Sequence, residues 1–104
     1  MPSFEKYLSP NVITIFSKSY CPFCIEAKQA MSSLGLKTKA YEVDLNEVPN
    51  DVVKEIQKST NHSTWPSIFV GHDSIKGFSD MQRLMKTGGF SKLVEKNHIL
   101  KENH

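Results

Sequence analysis

At 104 residues, with 38% apolar and 23% charged side chains, the chain has the composition of one soluble globular domain spanning residues 1–104. That length buries a core without disulfide staples or structural metal. The 13 basic and 11 acidic residues leave a net charge of +2 with no Lys/Arg run, which removes the electrostatic case for a nucleic-acid partner. No apolar run approaches the roughly 20 residues that span a bilayer, and Met1–Tyr7 carries no basic segment followed by an apolar one. With only two cysteines, the chain fits a reducing compartment, so the expected location is cytoplasmic with no membrane partner.

Taken in chain order, Ser3–Leu8 reads as a short helix closed by Pro10. Val12–Phe16 is a β-branched run and predicts a buried strand. From Pro22 to Leu34, Ala27, Ala30, Met31 and Leu34 recur at helical spacing, with Pro22 at the first turn and Gly35 at the stop. Ala40–Leu45 alternates, Tyr41, Val43 and Leu45 against Glu42 and Asp44, and predicts a second strand. Asn50 or Asp51 caps a helix whose buried stripe is Val52, Val53 and Ile56, ending near Thr60. Ser67–Val70 and Asp73–Lys76 are strands joined in a hairpin by Gly71-His72-Asp73. Ser79, with Gln82 three residues on, has the pattern of a capping box. Gly88-Gly89 breaks that helix, and Ser91–Leu100 predicts a last one with Leu93 and Val94 inward. The tail Lys101–His104 is expected to fray.

The order α-β-α-β-α-β-β-α-α implies an α/β fold, a four-stranded mixed sheet sandwiched between helices. The first strand-to-helix junction then lies at the carboxyl end of a parallel strand, where sites gather in open α/β sheets. Cys21-Pro22-Phe23-Cys24 occupies it.

Placing both thiols of the chain three positions apart at a helix start suits redox exchange. The first sulfur meets unpaired backbone N–H groups and the positive end of the helix dipole, which favour a thiolate. The second lies one turn in and stays a thiol until it is needed. Cys21 is thereby the expected nucleophile and Cys24 the resolving thiol. Lys18, three residues upstream, adds positive charge near Cys21, although a solvated loop lysine is the plainer alternative. A zinc site wants four ligands. There is no second cysteine pair, and His62, His72, His98 and His104 lack ligand spacing, so no metal is expected. A purely structural disulfide would close a tiny ring and stabilise little.

Three further segments extend the motif: Ser17-Lys18-Ser19-Tyr20 before the cysteines, then Thr64-Trp65-Pro66, then Gly71 through Asp80. In this order and spacing, and over nearly the whole chain, it resembles the dithiol glutaredoxins, thioredoxin-fold enzymes that use glutathione. The residue before a proline is extended, so the Trp65 backbone can pair with a peptide-like ligand in strand fashion. The resemblance implies that Pro66 is cis and faces the cysteines, that this ligand is the cysteinyl unit of glutathione, and that Thr64, Trp65 and Pro66 all belong to its binding site. It implies that Lys18 and Gln57 hold the glycine carboxylate, and that Gly77, Ser79 and Asp80 hold the γ-glutamyl end. A helix N-terminus for the carboxylate and Asp80 for the ammonium agree with the chemistry of that end. Phe23 stands where the family often has tyrosine, keeping the ring without the hydroxyl.

Three residues depart from the family pattern. Trp65 replaces a small aliphatic residue, Lys76-Gly77 replaces a common Gly-Gly pair, and Asn61 stands where a glycine often follows threonine. The resemblance further implies a monomer with no tightly bound cofactor. Glutathione or a related low-molecular-weight thiol serves as reducing co-substrate, and disulfide-containing or glutathionylated proteins as partners. Three other readings compete, one of them a protein-binding module with inert thiols. A flavoprotein-served thioredoxin would carry Trp-Cys-Gly-Pro-Cys, which is absent. An iron–sulfur carrier would hold a cluster through Cys21 and glutathione across a dimer, against which Pro22 and the second cysteine weigh.

Overall fold

The computed structural model describes residues 3–102, Ser3 by its backbone alone. The chain runs from a 3₁₀ turn at Ser3–Tyr7 into strand β1 (Ile13–Ser17), helix α1 (Pro22–Ser33) and strand β2 (Thr38–Glu42). Helix α2 (Asn50–Thr60), the hairpin of β3 (Ser67–Val70) and β4 (Asp73–Lys76), and helices α3 (Phe78–Thr87) and α4 (Gly89–Lys96) follow. The sheet has four strands in the order β2-β1-β3-β4, with β1 and β2 parallel and the other pairs antiparallel. This is the four-stranded mixed α/β sheet expected from the element order, in the thioredoxin-like arrangement that the family resemblance implies.

Both faces of the sheet are covered because its central strands are apolar on both sides. β1 and β3 are buried throughout. Ile13, Ile15, Ile68 and Val70 pack against Ala27 and Met31 of α1, Met81 of α3 and Phe90 of α4. Phe16 and Phe69 point the other way, onto Phe4, Leu8, Val52 and Ile56. The strand period of two assigns neighbouring residues to opposite layers.

Several boundaries differ from the sequence reading, each for a physical reason. The second strand stops at Glu42 because its partner β1 ends at Ser17, and Val43–Leu45 tighten into a 3₁₀ turn that leaves Leu45 exposed. Neither Asn50 nor Asp51 caps α2; Pro49 holds that position and both polar residues lie in the first turn. Ser79 is not a helix cap either. Gly77 precedes α3, and the Asp80 carboxylate accepts its amide at 3.0 Å; a glycine has no side chain with which to complete the box. α4 begins early, at Gly89, since Gly88 turns the chain at φ 84, and it ends at Lys96 rather than Leu100. Past it, Leu100 donates its amide to Asn11. The tail does not fray where it is described: Lys101 bridges to Leu36 and the Glu102 amide donates to the Gly35 carbonyl at 2.8 Å. Asn103, His104 and the leader residues Met1 and Pro2 lie outside the described residues.

Candidate active site

β1 delivers the chain to the site, and the loop after it is pinned before the helix begins. The Asp44 carboxylate accepts from both the amide (2.9 Å) and the hydroxyl (2.5 Å) of Ser19. The Ser19 hydroxyl, then its amide, hold Asp44 below the usual carboxylate range. The Cys21 amide closes a turn onto the Lys18 carbonyl at 3.1 Å, and the Cys21 carbonyl accepts the first helical bond from Ile25. Cys21 is therefore the residue before the first turn of α1, with extended backbone and Pro22 first in the helix. Proline at that place removes one of the amides that the helix leaves unpaired.

The two sulfurs occupy different environments. Cys21 is partly exposed and its sulfur lies 3.7 Å from the Trp65 carbonyl oxygen, across the cis Trp65–Pro66 peptide. Cys24 is fully buried, and both thiols are free. Burial pushes the Cys24 thiol up from 9.0 to about 12, opposed by a backbone hydrogen bond from Lys18 and reinforced by the neighbouring Cys21; the Lys28 ammonium pulls weakly the other way.

Grooves flank Trp65 on both sides. One, of about 310 Å³, is lined by Lys18, Tyr20, Asp44, Asn50, Gln57 and Trp65. The other, of about 580 Å³, is lined by Phe23, His62, Thr64, Trp65, Gly77, Phe78, Ser79 and Gln82. The fold thus brings together the residues singled out in the sequence: Lys18 and Gln57 at one end, Thr64, Trp65 and Pro66 across from the cysteines, Phe23, Gly77 and Ser79 at the other end. Asp80 lies just behind. Its carboxylate is held low first by the Gly77 amide and also by the Arg83 guanidinium, with which it forms an ion pair. Gln57 spends its amide on the Ser63 carbonyl at 3.1 Å.

The residues departing from the family pattern take definite places. Trp65 is half-buried and leans on the α2 layer, bordering both grooves rather than filling them. Asn61 ends α2 in left-handed backbone at φ 52, which asparagine tolerates. Lys76 also sits left-handed, at φ 66, on the bulged end of β4, exposed beside the larger groove. Bulges commonly re-aim a chain next to a site, and this one directs Gly77 into the start of α3.

Among the groove residues that escaped the sequence reading, His62 and Phe78 make definite contacts. His62 places Nε2 at 3.1 Å from the Pro66 carbonyl, and fills the space beside Gly77. Phe78 stacks on Phe23, ring centroids 5.4 Å apart and planes 26° apart, to make an aromatic wall. The signal for Phe78 was its place after Lys76-Gly77 in a segment already marked; His62 gave none beyond closeness to Thr64. Among the described residues, no three His, Cys, Asp or Glu side chains converge as a metal-ligand set, and no helix is long and apolar enough to cross a membrane.

Comparison with known proteins agrees with this geometry. The glutaredoxin family model matches residues 13–75. Glutaredoxin-2 of Schizosaccharomyces pombe is 40% identical over 99 residues, 95% of this chain and 87% of that protein. The mitochondrial glutaredoxin-2 of Mus musculus is 34% identical over 98 residues, 94% of this chain and 63% of that protein. The solution structure of the dithiolic glutaredoxin of Trypanosoma brucei brucei superimposes with a TM-score of 0.80 at 29% identity, covering 90% of this chain and 97% of that one. A sheet-end Cys-x-x-Cys beside a cis-proline peptide, matched along nearly the whole chain, places this protein in the glutaredoxin family, as a dithiol, glutathione-dependent thiol oxidoreductase of the thioredoxin fold.

Proposed function

We propose that the whole chain acts as one unit that reduces glutathione mixed disulfides through Cys21 alone and protein disulfides through Cys21 and Cys24 together. The observation that carries this is the division of environment between the sulfurs. One is partly exposed beside the Trp65 carbonyl and the other is sealed one helical turn behind it. In the first route the Cys21 thiolate bonds to the glutathionyl sulfur, and the substrate sulfur leaves with the electron pair and takes a proton. A glutathione thiolate then attacks the adduct, releasing oxidised glutathione and regenerating Cys21. In the second route the adduct is a substrate cysteine. Cys24 loses its proton and bonds to the Cys21 sulfur, and the substrate thiolate departs. Two glutathione molecules then reduce the intramolecular disulfide.

The proposed glutathione pose runs along both grooves. Its cysteinyl unit lies against Trp65 and Pro66, its glycine carboxylate at Lys18 and Gln57, and its γ-glutamyl end between Phe23, Thr64, Gly77, Ser79 and Asp80. An extended peptide facing a residue before proline can pair its backbone in strand fashion. The first-turn amides of α3 suit a carboxylate. The proposed working form is a monomer without tightly bound cofactor, in the cytoplasm, acting on disulfide-containing or glutathionylated proteins. The compartment rests on the two-thiol economy of the chain, and cell fractionation tests it.

The deciding experiment separates the routes. Cys24→Ser is expected to keep deglutathionylation and lose most protein-disulfide reduction, while Cys21→Ser loses both. Retention of both activities in Cys21→Ser overturns the assignment.

A further inference from the structure

One charged cluster plays no part in the groove. Ser17 and Glu42 are opposite partners in the parallel pairing of β1 and β2. The Ser17 hydroxyl donates to one Glu42 carboxylate oxygen, and the Lys28 ammonium donates to the other at 2.9 Å and lies 3.4 Å from the Ser17 hydroxyl. Lys28 is four residues after Cys24 on α1, the spacing that stacks two side chains on one helix face. Ser17 is buried and is the last residue of β1, heading the loop that carries Lys18 to Cys21.

Burial sets this cluster apart. The ion pairs Arg83–Asp80 and Lys96–Asp73 have cations 70% and 69% exposed, whereas Lys28 and Glu42 are 30% and 15% exposed. A pair withdrawn from water gives back in desolvation much of what its attraction supplies, so it is a poor device for stability alone. Withdrawn from water, it also exerts a stronger field on its neighbours. The neighbour on the same helix face is the thiol that must ionise to close the disulfide, and its proton has no exposed path of its own. Only the Lys28 end of the cluster reaches the surface, at a groove of about 300 Å³ that it borders with Ser32, Thr38, Ala40 and Glu102.

We propose that Lys28, Glu42 and Ser17 are positioning residues that set how readily Cys24 closes onto Cys21, and so divide turnover between the one-thiol and two-thiol routes. The inference rests on the two-route reading above. In the closing step the Cys24 S–H bond breaks and its proton passes to water. The Cys24 sulfur bonds to the Cys21 sulfur, and the bond between Cys21 and the substrate sulfur breaks, the electron pair leaving on the substrate thiolate. The Lys28 ammonium favours the Cys24 thiolate that this step needs, and the Glu42 carboxylate holds that charge in check. The Ser17 hydroxyl fixes the carboxylate. The two charges therefore act on the step with opposite sign.

The test mixes reduced full-length protein with oxidised glutathione, quenches with acid at intervals, and follows by mass the conversion of the glutathionylated adduct into the intramolecular disulfide. Glu42→Gln is expected to close about three- to tenfold faster than wild type, Lys28→Met about three- to tenfold slower, and the double variant within about twofold of wild type. The double variant leaves no unpaired buried charge, so it keeps the test informative if Lys28→Met folds poorly. Thermal melts run beside the kinetics. Slowing in both single variants in proportion to lost stability overturns the proposal, as does closure at one unchanged rate in all four proteins. Failure of wild type to close at all overturns the two-thiol route and this proposal with it, an outcome distinguishable from the others because the adduct accumulates.

Discussion

Gly77 and His62 share one volume: a β-carbon on Gly77 would lie 2.8 Å from Cε1 and 3.0 Å from Nε2 of the His62 ring. Moving the ring aside breaks two contacts, since its Nε2 lies 3.1 Å from the Pro66 carbonyl and 3.4 Å from the Thr64 hydroxyl. The backbone of Gly77 is extended, so alanine is excluded by space and not by φ. Gly77→Ala is therefore expected to push the imidazole into the larger groove. The KM for a glutathionylated substrate should rise about five- to tenfold, equivalent to about 1 kcal/mol, with a small change in kcat. Steady-state kinetics check this. An unchanged KM removes this end of the groove from the proposed glutathione pose.

Lys76 holds left-handed backbone at φ 66 with an exposed side chain, a conformation that costs a non-glycine residue about 1–2 kcal/mol. Glycine there relieves the strain and loses part of the gain to its freer unfolded chain. Lys76→Gly is expected to stabilise the fold by about 0.5–1 kcal/mol, read as a rise of a few degrees in Tm. A lower Tm would show that the lysine side chain contributes more than its backbone costs.

Cys24 is expected to make the proposed two-thiol route dependent on pH. Its thiol is pushed up from 9.0 to about 12, chiefly by burial and also by Cys21. When Cys21 is in a mixed disulfide it has neither charge nor thiol hydrogen, so its part of that shift vanishes while burial persists. The closing rate should rise about tenfold per pH unit between pH 7 and 9, because only the Cys24 thiolate attacks. Stopped-flow mixing checks the slope, and a flat profile means that deprotonation of Cys24 does not limit closure.

The same shift links to stability. A thiol whose folded value lies above its unfolded one favours the fold fully below pH 9 and loses that contribution as pH rises towards 12. Cys24→Ser should flatten this alkaline limb in denaturant titrations. Asp80 and Asp73 act at the opposite end. Asp80 is held low chiefly by the Gly77 amide and Asp73 by the Asn97 side chain, so their contributions are present above the ordinary carboxylate range and are lost on acidification.

Thr14 is buried in β1, and its hydroxyl has no hydrogen-bond partner among the described residues. An unsatisfied buried hydroxyl costs about 1–3 kcal/mol. Thr14→Val keeps the branched shape that suits a central strand and removes the polar atom. It is expected to raise stability by about 1 kcal/mol and Tm by about 4–8 °C. A fall in Tm would place an ordered water at that oxygen.

Local signals were legible wherever one stretch of chain suffices to impose a conformation. The β-branched run in β1, Pro22 at the start of α1 and the glycine turns marked their elements because sterics and period act over a few residues. The same locality let Cys21-Pro22-Phe23-Cys24 declare its chemistry. Boundaries set by a partner were illegible: Tyr41, Val43 and Leu45 alternate as one strand, yet pairing ends at Glu42 because β1 offers nothing beyond Ser17. Likewise, Lys101 and Glu102 look like a frayed tail until Leu36 and Gly35 are beside them.

By itself, the sequence determined most element types and the sheet-end location of the two thiols, and it pointed to many of the residues beside Trp65, because each depends on residue chemistry and spacing along the chain. Only the tertiary structure decided how completely Cys24 is sealed, that His62 fills the room left by Gly77, and that Ser17, Lys28 and Glu42 meet. Burial and field strength belong to the space around a side chain, and that space is built from residues distant in sequence.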